Sequence, residues 1–170
     1  MGIKRLLIRN ATDNDLVALL AIQKAIFARY TDYLLPEQVP SLNETLDDMR
    51  RDVKYKSIIS AYVEERPAGS VRYYNKSSVC IIERLSVIPE PQRKGIGRGL
   101  IAEVENQVAR MAHKIYLETG LLASNHLMLY SKRGFAGEAI LRRHYEGFDW
   151  IAFSKFIESD EAIRFGGTRA

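Results

Sequence analysis

Three cations and three glycines fall within eight residues, Gln92-Arg93-Lys94-Gly95-Ile96-Gly97-Arg98-Gly99, and their chemistry is that of a phosphate cradle. Arg93, Lys94 and Arg98 supply formal charge, and the glycines let a backbone approach an anion with no Cβ in the way. Ahead of them lies Val79 to Val87, an apolar run rich in β-branched residues that reads as a strand, closed by Pro89 and Pro91. Behind them apolar residues recur at Ile96, Leu100, Ile101, Val104, Val108 and Met111, the spacing of a helix. The first turn of a helix carries unpaired N–H groups and the positive end of the macrodipole, so strand, basic glycine turn and helix together make a site for a polyphosphate.

Spacing separates three phosphate-binding readings. A Walker A loop needs G-x-x-x-x-G-K-[ST], and the chain has no such string. A dinucleotide fingerprint survives only in its G/A form, from Gly97 through Gly99 to Ala102, and those residues lie inside the helical run rather than in the turn before it. The third spacing is Q-x-x-G-x-G directly after a strand ending in V-x-P. Gln92 to Gly97 meets it at every fixed position.

The elements that must hold this turn are readable on both sides. Ile3 to Arg9 suits a first strand, and Thr12 with Asp15 three residues on starts a helix predicted to reach about Tyr30. Ser41 with Glu44 predicts a second helix, to about Lys54. Ser57 to Val63 and Ser70 to Tyr74 read as strands joined by a turn at Pro67 to Gly69, with a further turn at Asn75 to Ser78. After the glycine-turn helix come a strand at His113 to Glu118, a helix at Ser124 to Arg133 stopped by Gly134, and a last strand pair, Ala136 to Tyr145 and Asp149 to Phe156. One domain is expected over residues 1–157, with 46% hydrophobic residues to build a core, and a polar tail over residues 158–170.

Composition narrows the function classes. The net charge of +4 is scattered, and its densest patch coincides with the proposed phosphate turn, so an anionic cofactor accounts for it without nucleic acid. With no signal-peptide pattern and no apolar run of membrane length, the expectation is a cytoplasmic protein that does not engage a membrane. A single cysteine, Cys80, excludes an internal disulfide and a cysteine metal cluster, and its place in a strand predicts a buried, inert thiol. The three histidines have no metal-ligand spacing, and no metal is expected; His126 is the one to consider as a base.

The Gln92 to Gly97 string, the V-x-P strand end and Leu129-Tyr130-Ser131-Lys132-Arg133-Gly134-Phe135, which matches L-Y-x-x-x-G-F, together resemble the GNAT superfamily of N-acetyltransferases. So does the element order β-α-α-β-β-β-α-β-α-β-β over nearly the whole chain. The resemblance implies an α/β (α+β) fold: a mixed, mostly antiparallel sheet of about seven strands with about four helices on both faces. It implies acetyl-CoA as donor, its pyrophosphate held by Gln92, Arg93, Lys94, Gly95, Ile96, Gly97 and Arg98. Its pantetheine arm would lie along the backbone of Leu85, Ser86 and Val87 in the manner of an added strand, a backbone N–H there polarising the thioester. Many members carry an asparagine seven residues before the tyrosine. Here that position is Ala123, and Asn125 is the candidate replacement.

Acetyl transfer to an amine needs a base, because an alkylamine with a pKa near 10 is mostly protonated at neutral pH. Strand alternation places Glu83 in a row with Val79, Ile81, Leu85 and Val87, a carboxylate among apolar side chains, with Arg84 on the opposite face. Burial of that kind raises a carboxyl pKa and suits a base; a salt-bridged glutamate at the sheet surface is the plain alternative. By resemblance Glu118, at the end of the fifth strand, is a second candidate, and the Tyr130 hydroxyl is the group that protonates the leaving thiolate. The region between the first two helices supplies the acceptor pocket in such enzymes, which makes Tyr30, Tyr33 and Glu37 candidate substrate contacts. Acid there, such as Asp32, Glu37 or Glu44, would favour a cationic amine.

The expected activity is therefore direct acetyl transfer to a small-molecule or peptide amine, with homodimer formation open. Two rivals remain: an acyl-CoA sensor without turnover, and a nucleotide-binding or nucleic-acid-binding domain recruited by the basic turn; for a dinucleotide, Glu118 stands at the distance of a ribose-binding acid, and the antiparallel strand order is the objection.

Overall fold

The computed structural model describes residues 5–32, 34–89, 95–121, 124–145 and 147–157. Chain order is β1 (Leu6–Asn10), α1 (Leu16–Phe27), α2 (Pro40–Asn43), α3 (Leu46–Asp52), β2 (Ser57–Val63), β3 (Arg66–Lys76), β4 (Val79–Val87), α4 (Ile96–Val108), β5 (Lys114–Gly120), α5 (Ser124–Lys132), β6 (Ala136–Tyr145) and β7 (Phe148–Phe156). The seven strands form one mostly antiparallel sheet in the order β1-β2-β3-β4-β5-β7-β6. The expected tail, residues 158–170, lies outside the described residues. Close packing groups the described residues into two compact units, those within Met1–Tyr74 and Ile82–Glu103, and those within Asn75–Ile81 and Val104–Ala170.

In the first unit α1 and α3 bury Leu16, Leu19 and Met49 against Ile58. The helix that begins with Thr12 is anticipated, and it enters through a 3-10 turn at Asp13–Asp15. The second helix differs from expectation. It is a single turn, α2, followed by a separate α3, and Thr45 rather than Ser41 caps the longer one. The Asp48 N–H donates to Thr45 Oγ1 at 3.1 Å, and the Thr45 N–H donates to Asp48 Oδ2 at 2.8 Å. Glu44 cannot serve the Ser41 box because its carboxylate turns inward to Gln23 and Arg72. The sequence thus holds two consecutive capping boxes, Ser41 to Glu44 and Thr45 to Asp48, and burial of Glu44 selects the later one.

The β2–β3 turn also falls elsewhere than predicted. Glu64 and Glu65 have φ of 51° and 64°, both left-handed, the mark of a two-residue primed hairpin turn, and Ser77 and Ser78 repeat it at 47° and 63°. Pro67, Ala68 and Gly69 lie inside β3, where the register passes from Tyr62↔Pro67 to Ala61↔Gly69 and leaves Ala68 as a bulge. Gly69 is required there: a Cβ on it would stand 2.6 Å from the Ser86 carbonyl oxygen of β4.

In the second unit β7 pairs with both β5 and β6, Leu117 opposite Phe153 and Glu118 opposite Ala152. Ile115, Leu117 and Thr119 are buried while Tyr116, Glu118 and Gly120 are half-buried, so the two faces of β5 differ. Along α4 the predicted apolar stripe is buried at Ile96, Leu100, Ile101, Val104 and Val108. Met111 is 55% exposed, because the helix ends at Val108 before the stripe reaches it.

Candidate active site

The cradle expected after β4 can be built from Gly95 onward; Gln92, Arg93 and Lys94 lie outside the described residues. Gly95 adopts φ 72°, a left-handed conformation open to glycine, and it launches α4. Its carbonyl accepts the first helical hydrogen bond, from the Gly99 N–H at 2.7 Å. The N–H groups of Ile96, Gly97 and Arg98 are therefore those that helix geometry leaves without an intrahelical acceptor. A Cβ on Gly95 would meet the Arg98 guanidinium at 3.3 Å, so the Arg98 cation sits beside the same turn. Unpaired donors, a bare α-carbon and a guanidinium fit a pyrophosphate. Gly99 serves packing instead. A Cβ there would lie 2.5 Å from Ile8 Cδ1, so its absence lets α4 approach β1.

Leu85 and Ser86 are buried in β4 and Val87 is half-buried. Just before them Arg84 takes φ 54°, a left-handed conformation inside a strand. The strict two-residue alternation expected across Glu83 breaks at that point: Leu85 and Ser86 are buried in succession. A non-glycine residue in this conformation costs about 1–2 kcal/mol, so its surroundings must hold it.

They do so through a closed circuit of charge. Glu83 Oε1 accepts from Lys56 Nζ at 2.7 Å, and Lys56 Nζ lies 3.0 Å from Asp52 Oδ2. Asp52 takes Arg72 Nη1 at 2.6 Å, Arg72 Nη1 also reaches Glu44 Oε1 at 2.6 Å, and Glu44 Oε2 takes Arg84 Nε at 3.3 Å. Burial presses the Lys56 pKa down, but Glu83 and Asp52 outweigh it and raise it. Burial likewise pushes Asp52 up, and Lys56 with Arg72 bring it below the usual range. Glu83 is thus the salt-bridged glutamate of the plain reading. Glu44, buried and shared by two guanidiniums and Gln23, has both oxygens engaged, so it is withdrawn as a contact for a cationic amine.

The second unit holds the other candidates. Glu118 Oε1 accepts from the Tyr116 hydroxyl at 2.7 Å, and His144 Nε2 lies 3.2 Å from Glu118 Oε2. Tyr130 is 3% exposed, its ring 5.9 Å from Phe135 and 5.8 Å from Phe153. Phe153 lies opposite Leu117, on the face away from Glu118 and Ala152. Phenol and carboxylate therefore lie on opposite faces of the β5–β7 pair. The His126 ring lies tilted at 6.1 Å from Tyr130, and burial lowers its pKa, so it is neutral near pH 7. Gly134, at φ 81°, is the helix stop the sequence anticipates. Burial of Cys80 raises its thiol pKa to about 12. The Asn125 side chain lies outside the described residues.

Of the acceptor candidates, Tyr30 stacks on Phe27 at 5.7 Å and burial raises its pKa, while Glu37 is exposed in a 3-10 turn, Pro36–Gln38. Tyr33 lies outside the described residues. Among the described residues no group of three or more His, Cys, Asp or Glu is placed to hold a metal ion, and no helix is long and apolar enough to cross a membrane. Sequence reasoning missed Lys56, Arg72, Arg84 and His144; apart from the Lys56–Asp52 pair, their partners are remote in the chain.

The model of the Acetyltransferase (GNAT) family matches residues 19–135, and the chain belongs to that family. No curated protein matches it. Among solved structures, PaiA N-acetyltransferase from Thermoplasma acidophilum in complex with coenzyme A is 19% identical, covers 89% of this chain and 99% of its own, and has a TM-score of 0.76. A ribosomal-protein-alanine N-acetyltransferase from Brucella melitensis is 22% identical, covers 88% and 99%, and has a TM-score of 0.71. An N-acetyltransferase from Staphylococcus aureus is 15% identical, covers 91% and 99%, and has a TM-score of 0.75. At these identities the likeness is one of fold.

Proposed function

We propose that the chain transfers an acetyl group from acetyl-CoA directly to a primary amine of a small molecule or peptide. The observation that carries this reading is the left-handed Gly95 launching α4, the next element after β4, within the acetyltransferase signature. The first-turn N–H groups of Ile96, Gly97 and Arg98, with the Arg98 guanidinium, take the donor's pyrophosphate, and the backbone of Leu85 to Val87 takes its pantetheine arm. Acetyl-CoA supplies the thioester as substrate, and the chain's part is to orient it and move protons.

Direct transfer is favoured over an acyl-cysteine route because the one thiol in the chain, Cys80, is fully buried and its pKa is raised to about 12. Of the two candidate bases, the geometry favours Glu118. Its partners are a phenol and an imidazole, whereas the Glu83 carboxylate is occupied by the Lys56 ammonium. Tyr130, from the other face, hands its proton to the departing thiolate.

Calorimetric titration with acetyl-CoA, CoA and NAD⁺, followed by thiol release over a panel of amines, tests the reading. Micromolar binding of the CoA species alone, with amine-dependent thiol release, is expected. Binding of NAD⁺ in their place would overturn it, and CoA binding with no release from any amine would favour the sensor instead.

A further inference from the structure

We propose that His144 is the exit for the proton that Glu118 removes from the acceptor amine; this rests on the acetyltransferase reading above. An alkylammonium sheds two protons in becoming an amide, and the leaving thiolate takes up one, so one proton must reach water on each turnover. Glu118 is half-buried, and a more exposed partner speeds that release.

The fold builds that partner by a local irregularity. Leu141 pairs with Trp150 and Tyr145 with Phe148, so Arg142, Arg143 and His144 of β6 stand against Asp149 alone on β7. Arg143 holds φ 49°, and its N–H donates to Asp149 Oδ1 at 2.9 Å, which pins the bulge. A bulge re-aims side chains. Here it brings the imidazole to Glu118 on β5 even though β7 lies between the two strands, and Ala152, the residue opposite Glu118, has little side chain to obstruct it.

The Nε2 of His144 lies 3.2 Å from Glu118 Oε2, within reach for proton transfer, and the imidazole is 37% exposed while the glutamate is 22% exposed. One end of the pair therefore meets solvent. Tyr116 donates to the other carboxylate oxygen at 2.7 Å and fixes the carboxylate plane. In sequence, the ammonium gives one proton to Glu118, the neutral nitrogen bonds to the thioester carbon as the carbon–sulfur bond breaks, and Glu118 takes the second proton; each time His144 takes the proton from Glu118 and water takes it from the imidazolium. Tyr130 protonates the thiolate and is reprotonated before the next turnover, so that of the two protons the nitrogen sheds, one reaches water net. His144 acts through Glu118 and does not touch substrate.

The test compares wild type with His144→Ala and His144→Gln, reading kcat and KM for the amine and for acetyl-CoA, with and without added imidazole. Both variants should lose about tenfold or more in kcat, with KM for acetyl-CoA unchanged. Added imidazole should restore turnover in His144→Ala, and His144→Gln, which keeps a hydrogen bond but carries no proton, should stay slow. Wild-type turnover in His144→Gln, or no rescue of His144→Ala, would overturn the relay while the wild-type activity leaves the acetyltransferase reading standing. Independently of turnover, Glu118→Gln should shift the His144 imidazole resonances, assigned by their loss in His144→Gln. Unshifted resonances would remove the contact on which the relay depends.

Discussion

Glu44 and Arg84 are forty residues apart in the chain, yet the Glu44 carboxylate holds the Arg84 Nε at 3.3 Å and so anchors a left-handed residue inside β4. The same carboxylate takes Arg72, whose Nε and Nη2 have no hydrogen-bond partner among the described residues. Removing the Glu44 charge would leave the buried Arg72 cation with the half-buried Asp52 as its one remaining counter-ion among the described residues. Glu44→Gln is expected to cost about 3–5 kcal/mol, read as a fall in the urea midpoint. Arg84→Gly should stay within about 1 kcal/mol of wild type, because relief of the left-handed strain offsets loss of a half-exposed ion pair. Equal damage from both variants would show that the circuit, and not Arg72, is what Glu44 supports.

The two carboxylates separate by what they touch. Glu118→Gln should lower kcat by about 10²–10⁴-fold with KM for acetyl-CoA little changed. Glu83→Gln removes the counter-ion of Lys56 and should act on stability first, with a smaller effect on kcat. Steady-state kinetics on both variants decides between them; a larger kcat loss in Glu83→Gln would return the base to β4.

Much of this arrangement is legible from local pattern. Ser57–Val63, Val79–Val87 and Ala136–Tyr145 match their sequence-read bounds, because each is a β-rich run ended by turn-forming residues. The β2–β3 turn escapes such reading because Glu64-Glu65 carries no glycine. A primed turn made of two glutamates gives no local signal, while Pro67 and Gly69 nearby give a strong one. Arg72 lies mid-strand between Val71 and Tyr73 and nothing around it announces burial. Its partners come from α3 and the turn before it, so only the fold brings the ions together. His144 escapes for the same reason, since its approach to Glu118 depends on a bulge that strand alternation does not contain.

Tyr130→Phe keeps the ring among Phe135, Phe153 and His126 and removes only the hydroxyl. The fold should survive, with CoA affinity near wild type by calorimetry. The kcat should fall, by no more than about 10²–10⁴-fold, since a thiol with pKa near 8.5 leaves fairly well unaided. Unchanged kcat with every amine would end the general-acid role.

Gly69→Ala tests the cradle through its support. The new Cβ would lie 2.6 Å from the Ser86 carbonyl and 3.2 Å from the Val87 Cα, both backbone atoms of the segment assigned to the pantetheine arm. Backbone cannot yield as a side-chain tip does, so β3 and β4 must part. A loss of about 1–3 kcal/mol is expected, with a severalfold rise in KM for acetyl-CoA. An unaltered KM alongside the stability loss would detach Leu85 to Val87 from donor binding.

Asp15 gives the first unit a pH dependence whose direction follows from its partners. The Arg9 guanidinium, at 2.7 and 2.9 Å, holds the Asp15 carboxyl well below the usual range; burial opposes this, and the Tyr62 hydroxyl and the Thr12 N–H, the latter at 2.6 Å, reinforce it. In the unfolded chain an aspartate titrates near about 3.9. Above that value both states are ionised and the native contacts contribute in full. As the pH falls through about 4 the unfolded chain takes up its proton first, and the contribution is lost progressively until the native carboxyl is protonated too. Asp15→Asn has no proton to exchange. The stability gap between wild type and Asp15→Asn, from urea unfolding, should therefore be constant from neutral pH down to about 5 and shrink below about 4. A gap that stays constant into acid would mean that the Asp15→Asn variant lacks only a cap, and that the charge on Asp15 contributes nothing beyond it.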